Sequence, residues 1–127
     1  MGLTAGIIKA CIEECDKSTY YYHLGCILFR SKRIIGRGYN QIRSVEQIKD
    51  KYRKWTNALH AEQAALMNID WNKVKGCSAL VLKVSKTEKK LSNAKPCPMC
   101  QAIFKHVGIK DIYYSNSDGE IVKLIDW

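Results

Sequence analysis

Apolar residues recur along residues 3–17 at Leu3, Ile7, Ala10 and Cys11, with Ile8, Ile12 and Cys15 beside them. This spacing makes the stripe of an amphipathic helix. Cys11 and Cys15 lie four apart on that stripe and read as small core residues rather than ligands. Two β-rich runs follow, residues 24–30 and 33–39, joined by Ser31-Lys32, a link of hairpin length. Asn40 follows the second run directly. Residues 41–56 are polar and basic without a clean period, a loop or a poor helix. Residues 59–69 have a helical pattern, with Thr56 or Asn57 as the expected N-cap.

Residues 78–84 are almost continuously apolar, which suits a central strand covered on both faces. A charged loop is expected over 87–95. A third helix is expected over 97–107, with Pro96 ahead of it and Pro98 in its first turn, where proline is tolerated. Strands over 110–115 and 120–125 flank Asn116-Ser117-Asp118-Gly119, a strong hairpin turn. The order α-β-β-α-β-α-β-β, without internal repeats, predicts an α/β fold. It reads as one domain over residues 1–127, three layers deep, with a mixed five-stranded sheet between helices and an antiparallel C-terminal hairpin.

Composition narrows the class. The 127 residues are 46% hydrophobic and 26% charged, which excludes disordered and collagen-like chains. No apolar run approaches the roughly 18–20 residues that span a bilayer. Residues 1–10 lack a basic region followed by an apolar block, so no secretory signal is expected. Gly6 stands where a myristoylation motif needs Ser or Thr. The expectation is a cytoplasmic protein without a membrane partner, whose six cysteines are reduced. Twenty-one Lys and Arg against twelve Asp and Glu give +9, which predicts an anionic partner. Residues 30–54 carry +7 and residues 83–95 carry +4, so the rest of the chain is slightly acidic.

Two short motifs carry the chemistry. His60-Ala61-Glu62 opens one predicted helix, and Pro96-Cys97-Pro98-Met99-Cys100 opens the next. Either alone is weak. Cys97 and Cys100, three apart on a first helical turn, share a face and can hold one ion. The positive end of a helix favours the ligating thiolate. His60 supplies a third ligand. Three protein ligands on tetrahedral zinc leave one position for water, the mark of a catalytic site. Glu62 would then move protons rather than bind metal. In mid-helix, residues two apart diverge by about 200°, so the pair works only at a helix start. The bland alternatives are a closed structural zinc or a redox Cys-x-x-Cys pair. The first lacks a fourth ligand at suitable spacing, because Cys26 and Cys77 sit singly inside apolar runs and His23 and His106 lie outside both motifs. The second lacks a matching preceding strand.

The His-x-Glu and Pro-Cys-x-x-Cys pair resembles the zinc-dependent cytidine/deoxycytidylate deaminase superfamily, and the likeness covers nearly the whole chain, including Gly25 and the ending Gly38-Tyr39-Asn40. The resemblance implies a cytidine deaminase-like α/β/α fold with zinc held by His60, Cys97 and Cys100. Glu62 is then the proton shuttle, and the reaction is hydrolytic loss of an exocyclic amine as ammonia. Asn40 resembles the asparagine that contacts the substrate near its sugar. Ala61 and Pro96, inside the motifs, are further expected substrate contacts. Met99 is expected to be mainly a packing residue. Assembly into a homo-oligomer is common among such proteins.

An antiparallel C-terminal hairpin with a four-residue turn resembles the cytosine-specific branches, since other branches place a helix between those strands. The first substrate expectation is therefore a pyrimidine nucleoside or nucleotide, its phosphate meeting Arg37, Arg43 or Arg53. The alternative is single-stranded DNA or RNA, because Lys51-Tyr52-Arg53-Lys54-Trp55 interleaves cations with rings. Tyr52 and Trp55 could stack bases while Arg53 follows phosphates, or pack beneath a solvated basic face. A purine base is a further alternative. A non-enzymatic binding module is disfavoured, because Glu62 and every ligand are present.

Overall fold

The computed structural model describes residues 3–18, 22–42, 58–67, 69–85, 88 and 90–127. Helix α1 (Ala5–Asp16) starts at Thr4, whose side chain accepts the Ile7 N–H at 3.2 Å. Strands β1 (His23–Arg30) and β2 (Arg33–Tyr39) form the expected hairpin around Ser31-Lys32. Two short strands, β3 (Gln41–Ile42) and β4 (Ala58–Leu59), pair antiparallel as a separate ladder. Helices α2 (Ala61–Leu66) and α3 (Trp71–Val74) precede β5 (Ser78–Val84), then come β6 (Leu91–Ser92) and α4 (Pro98–Val107). The chain ends in β7 (Asp111–Ser115) and β8 (Ile121–Lys123). Among the described residues, no helix is long and apolar enough to cross a membrane.

The main sheet has the order β2-β1-β5-β7-β8, and β6 adds a sixth strand on β5. All neighbours are antiparallel except β5 and β7, which run parallel with α4 as the crossover. The expected five strands are the five of this path. The sixth lies inside the expected charged loop, where two residues carry no periodic signal. Backbone pairing of Lys83 with Ser92 and Val84 with Leu91 builds it, and the Ser115 hydroxyl donates to Ser92 O at 2.6 Å.

Alternation in the central strands divides the core into two layers. Ile27 and Phe29 of β1 and Leu80 and Leu82 of β5 face α1, packing on Ile7, Cys11 and Cys15. Cys26, Leu28, Ala79 and Val81 face the other helices, packing with Ala61, Ala65 and Phe104. The continuous apolar run over β5 thus reflects a strand covered on both sides. Cys11 and Cys15 are core residues, as expected, with thiols donating to the carbonyls of Gly25 at 3.4 Å and Leu82 at 3.3 Å.

Both ends of α2 differ from the sequence reading. The α2 N-cap is His60, not Thr56 or Asn57, because β4 keeps the chain extended through Leu59. The helix also stops at Leu66; the expected continuation to residue 69 ends at Met67, which has extended backbone. Asp70 then starts α3 by accepting the Asn72 N–H at 2.9 Å. The C-terminal turn forms as expected, with Asn116 Oδ1 accepting the N–H groups of Asp118 at 3.0 Å and Glu120 at 2.9 Å.

Helix α2 lies so close to β2 that only glycine fits beneath it. A Cβ on Gly36 would meet Ala65 O at 2.8 Å, and one on Gly38 would meet Ala64 C at 2.7 Å and crowd Ala65 N. Replacing Gly38 with Ala must therefore lift the helix that begins at His60. Gly38→Ala is expected to destabilise the fold by about 1–3 kcal/mol, measured as a shift in the denaturant midpoint. An unchanged midpoint would show that α2 does not rest on β2 in this way.

Candidate metal centre

Both motifs sit at helix starts beyond the same end of the sheet. Strands β5 and β7 run parallel toward it, the position where α/β sheets usually place their sites. His60 arrives through the β3–β4 ladder and Cys97 through the stretch after β6, where Ala94 N–H donates to Ser115 O at 2.8 Å. His60 and Cys97 are the N-caps of α2 and α4, with extended backbones, and Cys100 lies one turn into α4.

The three donors converge. His60 Nδ1 lies 3.4 Å from Cys100 Sγ and 3.9 Å from Cys97 Sγ, and a ligand atom from each residue lies within 4.8 Å of the others. For zinc bonds of about 2.05 Å to nitrogen and 2.3 Å to sulfur, a tetrahedron separates N and S by about 3.6 Å. The observed pair of separations brackets that value. Among the described residues this is the only cluster of three or more such donors that could hold a metal ion.

The electrostatics fit a cation as well. A helix start was expected to lower the thiol pKa. The Cys100 thiol is instead pushed well above its ordinary range, first by burial, then by the charges of Glu62 and Cys97. A cation among these groups supplies the missing positive charge and makes the thiolates stable. The donor set thus fits zinc through His60, Cys97 and Cys100.

Glu62 lies two residues past the N-cap, and its side chain is only 6% exposed. Burial raises its pKa, while its own backbone N–H, the charge of His60 and a hydrogen bond with Cys100 pull the other way. The carboxyl therefore sits against the ligand cluster. An extended N-cap followed by helix resolves the 200° problem. His60 leaves the chain before the helical turn begins, so it and Glu62 can face one point.

Two supporting residues were missed in the sequence. Gln63 Oε1 accepts the His60 N–H at 3.0 Å, and Gln101 Nε2 donates to Pro96 O at 2.8 Å. Each fixes the backbone next to a ligand. The signal for the first was present, since a Gln three residues after an N-cap is half of a capping box.

Other expected site residues fall as follows. Ala61 and Pro96 are buried beside the cluster, one directly after His60 and the other directly before Cys97. Asn40, 3% exposed, follows β2 at the same end; its Oδ1 accepts from Leu24 N at 3.0 Å and from Ser18 Oγ, and its Nδ2 donates to Tyr22 O at 2.8 Å. Arg43, Tyr52, Arg53 and Trp55 lie outside the described residues. Arg37 does not join the site: its Nε pairs with Glu14 of α1 at 3.2 Å, across the sheet from α2 and α4. Met99 is not the packing residue expected, being 48% exposed. Pro98 beside it is exposed as well, so the two residues between the cysteines leave the α4 start on the outer side.

Comparison with known proteins agrees with this geometry. Among solved structures, a cytidine deaminase from Burkholderia pseudomallei superposes with a TM-score of 0.64 at 13% identity, covering 96% of this chain and 92% of the other. The dCMP deaminase from the cyanophage S-TIM5, solved with dCMP and dUMP, superposes at 0.56 with 18% identity, covering 91% and 85%. Acinetobacter baumannii RibD matches at 0.58 with 16% identity, over 87% of this chain and 27% of that one. These likenesses concern the fold. No curated protein matches the chain in sequence. The cytidine and deoxycytidylate deaminase zinc-binding region matches residues 5–116. That match takes in both motifs and every element from α1 through β7, so the chain belongs to the cytidine and deoxycytidylate deaminase family and is a zinc-dependent enzyme of that type.

Proposed function

We propose that this chain, acting as one domain, hydrolyses the exocyclic amine of the cytosine moiety in a nucleoside or nucleotide, giving uracil and ammonia. The observation that carries this reading is a buried carboxyl, Glu62, set against the convergent His60, Cys97 and Cys100. Zinc held by those three residues supplies Lewis acidity that makes water nucleophilic near neutral pH. Glu62 carries both protons of the attacking water, the first to the ring nitrogen and the second to the departing amine. Water adds its oxygen to the carbon that bore the amine, and the amine leaves as ammonia.

The choice of cytosine is supported by the antiparallel β7–β8 pair, closed by five residues with no room for a helix. Ala61 and Pro96 supply walls. Asn40 has two amide hydrogens, one of which is engaged by Tyr22 O, and the second suits a sugar hydroxyl. Arg43, Tyr52, Arg53 and Trp55 complete the proposed substrate contacts, the basic members toward a phosphate. Assembly of several copies belongs to the same proposal.

Ammonia release should be fastest within a panel of cytosine, cytidine, deoxycytidine, their monophosphates, adenosine, guanine and single-stranded DNA and RNA when the substrate is a cytosine nucleoside or nucleotide. Preference for guanine, adenosine or a polynucleotide would overturn the substrate assignment. Glu62→Gln should retain zinc while losing at least about 10²–10⁴-fold in kcat, whereas Cys97→Ser should lose the metal. Zinc loss in a folded Glu62→Gln protein would remove Glu62 from its proton-transfer role. Because the Cys100 proton is held tightly, zinc uptake by the metal-free protein should release protons and weaken as pH falls. A pH indicator in weak buffer measures this, and uptake without proton release would contradict thiolate ligation.

A further inference from the structure

The end of the sheet remote from the metal centre gathers exposed cations that the proposed deaminase chemistry does not use. Strand β2 begins there and β1 ends there, with Arg33 and Arg30 paired in register. Phe29 pairs with Ser78 at the start of β5, and Ser78 pairs with Asp111 at the start of β7. The residues just outside these pairs are joined as well. Arg30 Nη2 donates to Lys75 O at 2.6 Å, Gly76 N–H to Gly108 O at 2.8 Å, and Lys110 N–H to Cys77 O at 2.8 Å.

Four adjacent strands therefore present cations in a row: Arg33, Arg30, Lys75 and Lys110. With strands about 4.8 Å apart, the row is about 14 Å long. Lys32 and Lys73 flank it, and all six side chains are exposed. None of the six forms an ion pair among the described residues. Of the nearby acids, Asp111 pairs with Lys123 at 3.2 Å, Asp70 caps α3, and exposed Asp126 follows β8 on the β7 side of the row. A recess of about 510 Å³ opens among Arg30, Ser31, Lys32, Arg33 and Ile35. Trp71, on the same α3 turn as Lys73, is 48% exposed and braced edge-on by His106, with ring centroids 6.2 Å apart.

We propose that this end of the molecule is a docking surface for single-stranded nucleic acid, separate from the deaminase centre. The row is longer than one phosphate group, so it suits a chain of phosphates rather than a single nucleotide. Unpaired exposed cations attract such a chain by releasing its counterions. The exposed indole on α3, the helix that leads to Lys75, offers one base a stacking face. The seven residues of β5 place this surface roughly 20 Å from the metal-centre end, so occupancy here leaves the Glu62 pocket open.

The test is fluorescence anisotropy of a labelled 12-nucleotide oligouridylate with the zinc-loaded full chain, across a salt series. Four phosphate contacts predict an affinity that falls about 50-fold between 50 and 200 mM salt. The variant Lys32→Gln/Arg33→Gln/Lys75→Gln/Lys110→Gln, which removes three of the four row contacts, should bind at least 10-fold more weakly at 50 mM, with a log–log salt slope smaller by about 2. Its zinc content and melting temperature should match the parent. Trp71→Ala should weaken binding several-fold and leave the slope unchanged. Parental affinity and slope in the quadruple variant would overturn the proposal. So would a parent protein that ignores the oligonucleotide and binds phosphatidylserine vesicles instead.

Discussion

An imidazole and two thiols crowded within 4.8 Å, one thiol fully buried beside a buried carboxyl, need a cation among them. Without it, burial and neighbouring negative charge hold the proton on Cys100, and burial raises the pKa of Glu62. With it, the same crowding becomes attraction. The fold exists around this point in a physical sense. The β3–β4 ladder keeps the chain extended to His60, and β6 with Ala94 guides it to Cys97. Gly36 and Gly38 allow α2 to settle onto β2. Gln63 and Gln101 then fix the backbones beside the ligands.

Charge is distributed with a similar division of labour. Buried Glu14 on the α1 face is held by Lys17 at 2.7 Å and Arg37 at 3.2 Å, which ties α1 to β2 and takes Arg37 out of the basic surface. The remaining cations of the hairpin turn and α3 gather at the far end of the sheet, where solvent surrounds them. A basic sequence thus resolves into cations used inside the framework and cations left for a partner. Net charge alone could not separate these.

Much of the fold was legible because its signals were local and periodic. The α1 stripe, the apolar run of β5, the Asn116–Gly119 turn and the proline at the start of α4 each prescribe one conformation. What escaped depended on distant pairing. Leu91–Ser92 becomes a strand only because β5 offers an edge, and Leu59 joins β4 rather than a helix only because Gln41 lies opposite it. Cysteines 97 and 100, His60 and Glu62 were legible through spacing. The burial that raises the Cys100 pKa, against the helix-end expectation, could be seen only once Glu62, Cys97 and the core surrounded it. Met99 fell on the outer side for a related reason: the convergence of Cys97 and Cys100 on His60 decides its direction, not its own hydrophobicity.

The most direct test of the metal centre is the zinc K-edge X-ray absorption spectrum of the zinc-loaded protein. Ligation by His60, Cys97 and Cys100 with one solvent position predicts two sulfurs at about 2.3 Å and two nitrogen or oxygen atoms at about 2.0–2.1 Å. A shell with three or four sulfurs, or with none, would contradict it.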